Sequence, residues 1–453
     1  MTARATLGRI SAPLKRLPLG ERLVRRNPLY YPRVARLFER LDAAPLEQRR
    51  AWTAARLARV LRAAVATGYG RRVGGGPDPG AWPLLDPATV RDDPPAFMRG
   101  GWWSVPSSTG GTTGIPLPLA RSHESVAAEQ AALDHLLRGQ GVDPVRARVA
   151  VLRGDDIKPP DDLSPPFWTG ALGGRRLIFS SNHLQRATLP RYLEALTEYA
   201  ADYWWVYPST LESLCRLAAG LAAPPRVPLI VSSSEVLSAW CRAAAAATFG
   251  ARVVDYYGQA ERVAFAASAE PGRYRFQPGY ANVELLPAGE DADGARYEIV
   301  GTGLWNTAMP LVRYRTGDLI RVAGALSPAG REALALGLGE FPGILGRDAE
   351  VLVGLDGATL TGMDHVQRGV EHVVRIQLVH ERADRVEIRV IPAPGYGDAD
   401  RAQLIANARR KIPAAIGVSV REVDALERTA LGKTPFIVRR PGVPGPTRPE
   451  DRP

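Results

Sequence analysis

From about residue 147 onward, short apolar runs alternate with longer stretches whose apolar positions recur every three to four residues. That is the pattern of βα units laid into a parallel or mixed sheet. Segments 148–152, 176–179, 204–207, 229–232 and 252–256 read as strands, with 189–203, 210–221 and 236–249 as the helices between them. Ligands of such sheets gather at the carboxyl ends of strands, where Ser232-Ser233-Ser234-Glu235 and Tyr256-Tyr257-Gly258 fall. The pattern changes after a stretch at 323–341 rich in Gly, Pro and Ala. Here 373–379 and 385–391 read as paired strands, 398–410 as a helix and 419–423 as another strand. The expected fold class is therefore α/β, with a large N-terminal domain of βα-unit sheets over 1–346 and a small, mobile α+β C-terminal domain over 347–440, hinged near 347–350. Residues 441–453 are so rich in proline and charge that a disordered tail is expected.

Composition narrows the class. A chain of 453 residues, 45% of them hydrophobic, is long enough for two or three domains around a sizeable core. Cys215 and Cys241 lie in helix-like apolar stretches without metal-ligand spacing, which predicts buried reduced thiols and a cytoplasmic location. No secretory leader and no run long enough to span a bilayer is read. Lys plus Arg number 58 against 47 acidic residues, a net +11. The basic residues are scattered and almost all arginine, which argues against a nucleic-acid surface. Arg22, Arg25, Arg26, Arg33, Arg36 and Arg40 fall on an amphipathic N-terminal stretch, read as a solvated helix face, with peripheral membrane contact as the alternative.

Four motifs carry the chemistry. The run Ser107-Ser108-Thr109-Gly110-Gly111-Thr112-Thr113-Gly114-Ile115-Pro116 can wrap a polyphosphate, because glycine permits close backbone approach while amides and hydroxyls donate to anionic oxygens. It is followed by Tyr256-Tyr257-Gly258-Gln259-Ala260-Glu261, by Arg313-Tyr314-Arg315-Thr316-Gly317-Asp318, and by Gly432-Lys433. Together and in this order they resemble the adenylate-forming superfamily of acyl-CoA synthetases, aryl-CoA ligases and carrier-protein adenylation domains. Asn27-Pro28-Leu29-Tyr30-Tyr31, Trp82-Pro83-Leu84-Leu85 and the segment from Asn306 to Asp318 resemble the phenylacetate-CoA ligase-like branch.

The resemblance implies an AMP-forming carboxylate-CoA ligase that uses ATP and Mg2+, with CoA as co-substrate. Ser108, Thr109, Gly110, Gly111, Thr112, Thr113 and Gly114 would hold the β- and γ-phosphates, with Thr112 also counted as catalytic. Glu261 would hold Mg2+, and Asp318 would accept both ribose hydroxyls. Tyr257, beside Gly258, would lie against the adenine or else be a core tyrosine. Arg347 would reach ribose or phosphate, and Lys433 would bring its ammonium to the attacking carboxylate and the α-phosphate. Tyr207, Ser234, Glu235 and Tyr256 are candidates for the acyl pocket, and aromatic walls favour a flat apolar acid. The implied partners are a small carboxylic acid and either CoA or an acyl carrier protein, whose anionic groups suit a basic chain; the oligomeric state is left as monomer or homodimer.

Three departures from the superfamily pattern stand out: Gly110 replaces a serine, Leu117 a lysine, and Ala349 the hinge aspartate in Gly346-Arg347-Asp348-Ala349-Glu350. Two other readings stay open. One is transfer of the acyl group to a carrier-protein pantetheine or an amine; the other, of a different class, is a non-catalytic nucleotide-binding homologue.

Overall fold

The computed structural model describes residues 18–99, 104–108, 117–153, 157–159, 162–180, 183–184, 187–218, 221–235, 237, 239–291, 294–346, 352–355, 359–360, 363–367, 369–370, 372–392, 395–424, 426–427 and 437–443. Its largest sheet has eight strands in the spatial order Arg275–Phe276, Phe265–Ser268, Arg252–Gly258, Leu229–Ser233, Tyr203–Val206, Val149–Leu152, Arg176–Phe179, Trp168–Ala171. The five central strands run parallel and the outer ones antiparallel. From Val149–Leu152 the chain first adds Arg176–Phe179 on one side, then crosses to Tyr203–Val206 on the other. The winding thus reverses at Val149–Leu152, and the crevice at the carboxyl end of such a strand is where sheets of this type receive ligands.

The helices Leu189–Tyr199, Pro208–Ala218 and Ala239–Phe249 connect these strands. Leu196, Leu211, Leu214, Cys215, Cys241 and Phe249 pack with Trp204 and Ile230 in one core, so both cysteines are buried and neither forms a disulfide. A second core joins other sheet residues, among them Val151 and Val231, to Phe38 of Tyr31–Asp42, Leu61 of Leu46–Val65 and Ala131 of His123–Gly139. The sequence pattern extended the first connecting helix to residue 203. It stops at Tyr199 because Ala200 takes a left-handed φ of 46°, and Tyr203 begins the next strand.

A separate antiparallel sheet is built from Ala281–Asp291, Gly294–Gly303, Tyr314–Val322 and Ile344–Gly346. Farther on, Val373–Arg382 pairs antiparallel with Arg385–Pro392, which carries Gly417–Glu422 in parallel at its other edge. Ile437–Arg439, absent from the sequence expectation, pairs parallel with Val373–Arg382. Asp398–Arg409 packs on this sheet through Leu404 and Ala408, in a core whose members all lie between Leu352 and Ile437. The molecule is thus mixed α/β with a large N-terminal part and a smaller C-terminal one. The expected hinge at 347–350 lies outside the described residues, as do residues 444–453 of the expected tail.

The N-terminal arginines divide. Arg22, Arg33, Arg36 and Arg40 are exposed, as a solvated face requires, whereas Arg25 and Arg26 turn inward. Arg26 Nε and Nη2 donate to Asp134 at 2.7 and 2.8 Å, and the Tyr31 hydroxyl donates to the same carboxylate at 2.6 Å. Asp134 is fully buried, so these charge-assisted bonds hold the Asn27–Tyr31 segment against His123–Gly139. Among the described residues no helix is long and apolar enough to cross a membrane.

Candidate active site

Two strands bring the central motifs together. Tyr257 and Gly258 end the parallel strand Arg252–Gly258, and the turn that follows carries Glu261. Asp318 belongs to Tyr314–Val322, whose register with Gly294–Gly303 shifts between Glu298 and Val300. The shift leaves Thr316, Gly317 and Asp318 opposite Ile299 alone, a bulge of the kind that re-aims side chains. Gly317 takes φ 74°, open to glycine at no steric cost. The Thr316 hydroxyl fixes the bulge by donating to the Ile299 carbonyl at 2.7 Å and accepting from Asp318 N at 3.0 Å.

Hydrogen bonds then join the motifs. The Tyr257 hydroxyl donates to Asp318 Oδ2 at 2.7 Å and accepts from Gln259 Nε2 at 2.8 Å. Burial, then the Asp318 charge, push this phenol well above its usual range, so it remains a donor at neutral pH. Tyr314, four residues before Asp318 and nearly inaccessible, donates to Glu261 Oε1 at 2.7 Å. One strand therefore both presents Asp318 and orients Glu261.

The remaining motif residues support this strand. Leu85 N donates to the Arg313 carbonyl and Arg315 N to the Leu85 carbonyl, both at 2.9 Å, so the Trp82–Leu85 segment is zipped alongside it. Arg313, at φ 51°, binds Glu284 at 2.8 Å and the Trp82 carbonyl at 2.9 Å. Asn306 accepts from Ser122 N at 3.0 Å and donates to the Ala120 carbonyl at 2.9 Å. It thereby anchors Pro118–Ser122, the partner of Ser104–Ser108 in a hairpin. Ser108 is the exposed last residue of its strand. Thr109, Gly110, Gly111, Thr112, Thr113, Gly114, Arg347 and Lys433 lie outside the described residues.

Beside the Gly258–Ala260 backbone is a cavity of about 280 Å3. Of the residues expected to form an acyl pocket, Ser234 and Tyr256 line it. Tyr207 and Glu235 are not among its described lining residues; Tyr207 instead lies beneath the Arg153 guanidinium, 5.0 Å from the ring centre. Sequence reasoning missed Arg25, Arg121, Glu129, Arg153 and Arg262, all of which line this space. Arg153 could have been found, because it directly follows a strand at its carboxyl end, the place that singled out Ser234 and Tyr257. Arg121 and Glu129 come from the segment after the phosphate-type loop, and nothing local marks them.

Mg2+ is compatible with Glu261, whose Oε1 is held by Tyr314. A magnesium ion commonly takes one or two carboxylates together with substrate phosphates, and among the described residues no cluster of three potential ligands exists to hold a metal without them.

No protein-family profile matches the chain. Protein CapK of Staphylococcus aureus is 22% identical over 345 residues, 74% of each chain. Among solved structures, 2-hydroxyisobutyryl-CoA ligase in complex with 2-HIB-AMP and CoA in the thioesterification state is similar, with a TM-score of 0.53 and 19% identity over 88% of this chain and 91% of that one. The same ligase in its postadenylation state with 2-HIB-AMP has a TM-score of 0.50 at 17% identity, over the same shares of the two chains. The chain therefore shares the fold of 2-hydroxyisobutyryl-CoA ligase, a large N-terminal α/β domain followed by a smaller C-terminal one.

Proposed function

We propose that the protein activates a carboxylic acid as its acyl-adenylate and passes the acyl group to CoA, with an aryl or arylalkyl acid as the leading substrate. The observation that carries this reading is the paired tether of Tyr257 to Asp318 and Tyr314 to Glu261, on either side of the Gly258–Ala260 backbone that lines a cavity. Asp318 accepts the two ribose hydroxyls, a task that needs a fixed acceptor-only carboxylate, and the Tyr257 hydroxyl supplies that fixation. The Tyr257 ring lies against the adenine. Thr109 to Gly114 donate to the outer phosphates, and Arg347 reaches the ribose or phosphate. Glu261 would hold Mg2+, which when bound would supply positive charge to the phosphate oxygens.

The substrate carboxylate oxygen attacks the α-phosphorus as the bond to pyrophosphate breaks, and pyrophosphate leaves. The thiol sulfur then attacks the acyl carbon, the bond to AMP breaks, and AMP leaves. Two anions meet in the first step, so the rate comes from preorganised positive charge. Lys433 provides it as a compact ammonium on a flexible stem, which the wider arginine fork would not replace. It is one of four lysines in the chain. That the fold of 2-hydroxyisobutyryl-CoA ligase holds 2-HIB-AMP and CoA together supports CoA as acceptor.

Carboxylate-dependent ATP-pyrophosphate exchange tests the reading without an acceptor. Exchange is expected with one class of acid, and Lys433→Ala should lower it by about 10²-fold or more, about 2.7 kcal/mol of barrier. Thioester formation from preformed adenylate should fall much less. Equal losses in the two half-reactions would remove Lys433 from the role, and saturable ATP binding without exchange would favour a non-catalytic homologue.

A further inference from the structure

Adenylation requires one carboxylate at the rim of the cavity, yet the cavity holds more positive charge than one carboxylate answers. Arg25, Arg121, Arg153 and Arg262 line it, against a single carboxylate, Glu129, among its described lining residues. Glu129 is already met by Arg262 Nε at 3.5 Å and by the Tyr280 hydroxyl. Arg121 donates to the Ala260 carbonyl at 2.7 Å, and Arg153 to Ser234 Oγ at 2.9 Å. The Nε of each is buried without a partner among the described residues. Guanidinium groups held this way are costly unless an anion completes them. The electrostatics agree: burial first, and a neighbouring arginine second, push Arg25 and Arg121 each down to about 10.

Position adds to charge. Arg153 follows Val149–Leu152, the strand at which the winding reverses, and lies over Trp205 at 4.2 Å and Tyr207 at 5.0 Å. Its acceptor, Ser234, is held at φ 75°, a strained backbone of the sort kept at ligand sites. The proposed nucleotide contacts Tyr257, Glu261 and Asp318 are outside the described lining, which touches only the intervening Gly258, Gln259 and Ala260. The four arginines therefore share a space with the backbone between Tyr257 and Glu261, and Arg121, bonded to Ala260, also feels the Glu261 charge.

We propose that the acid activated here is dianionic, a carboxylic acid with a second anionic group that Arg121 and Arg153 bind through charge-assisted hydrogen bonds. This rests on the adenylation reading and adds a charge to the aryl or arylalkyl substrate expected there. Arg25 contributes field, while Arg262 remains with Glu129.

Matched acids test it on the full chain by ATP-pyrophosphate exchange: benzene-1,4-diacetate, succinate and glutarate, each beside its monomethyl ester, which keeps the shape and removes one charge. The diacid of the preferred pair should exceed its half ester in kcat/KM by about tenfold or more, the worth of hydrogen bonds to a charged group. Arg121→Gln and Arg153→Gln should shrink that ratio toward one by raising the KM of the diacid while the KM for ATP stays put. A half ester used as well as its diacid overturns the proposal, and so does a KM for ATP that rises in place of the acid's. If no acid supports exchange, the adenylation reading is what has failed. Calorimetric titration with the same pairs then decides the arginine site alone: binding of a diacid over its half ester supports it, and equal or absent binding of both overturns it.

Discussion

The Tyr257 hydroxyl stands between Gln259 Nε2 and Asp318 Oδ2, so one phenol links two motifs that are 61 residues apart in sequence. Motif order can suggest that such residues meet; only the folded bulge at Thr316–Asp318 supplies the contact. Two positions earlier on the same strand, Asp255 has the opposite character. It is 4% exposed, accepts from the Ser232 and Tyr274 hydroxyls, and is raised to about 6 because burial outweighs those bonds. Folding thus favours the protonated form relative to the unfolded chain. Its contribution is intact below the ordinary value of 3.8 and is lost as pH rises through about 6. Relative to Asp255→Asn, which stays neutral, the native protein should lose up to about 3 kcal/mol of stability between pH 4 and pH 7. Urea unfolding of both proteins across that range measures the difference, and a difference independent of pH would refute the assignment.

At the scale of elements, the position of Glu261 depends on how closely its turn is laid on the strand Gly294–Gly303. A Cβ on Gly301 would stand 2.0 Å from the Val263 carbonyl oxygen, and one on Gly303 would stand 2.6 Å from that of Arg262. Both obstacles are backbone, which cannot rotate away. Gly301→Ala should therefore destabilise the protein by about 2–3 kcal/mol, as overpacking does, and should reduce pyrophosphate exchange by displacing the Glu261 turn. Gly324→Ala, where a Cβ meets nothing within 4 Å, is the control and should leave both unchanged. A Gly301→Ala protein as stable and active as the control would show that the turn is not seated this way. The parallel strands were legible in sequence because each is short and centred on an apolar run, such as Val149–Leu152. The sheet from Ala281 to Val322 was not, since its strands mix apolar and charged positions, as in Glu284, Glu298 and Arg315. Of the cavity arginines only Arg153, at a strand's carboxyl end, carried a local mark; in an arginine-rich chain, only the fold separates Arg121 in the cavity from Arg33 in solvent.

For the whole molecule, the arrangement of cores bears on how the two half-reactions share one chain. The core around Leu378, Ile388 and Leu404 is drawn wholly from residues between Leu352 and Ile437, whereas the cores around the eight-stranded sheet are drawn from earlier residues. Each part can therefore bury its own apolar surface, the condition for a separate cooperative unit. Such independence is what the proposed chemistry asks for, because Lys433 would act in adenylation and not in thiol attack. Ile388 is fully buried on the strand Arg385–Pro392, and its truncation to alanine should cost about 2–5 kcal/mol within the C-terminal part. Scanning calorimetry should then resolve two transitions, with Ile388→Ala lowering one and leaving the other in place. On the proposed roles, ATP binding through Tyr257 and Asp318 should persist in this variant, while pyrophosphate exchange, which would need Lys433, falls as the smaller unit melts. A single transition that moves as a whole would mean the two parts unfold together, and the rotation of one against the other would lose its thermodynamic basis.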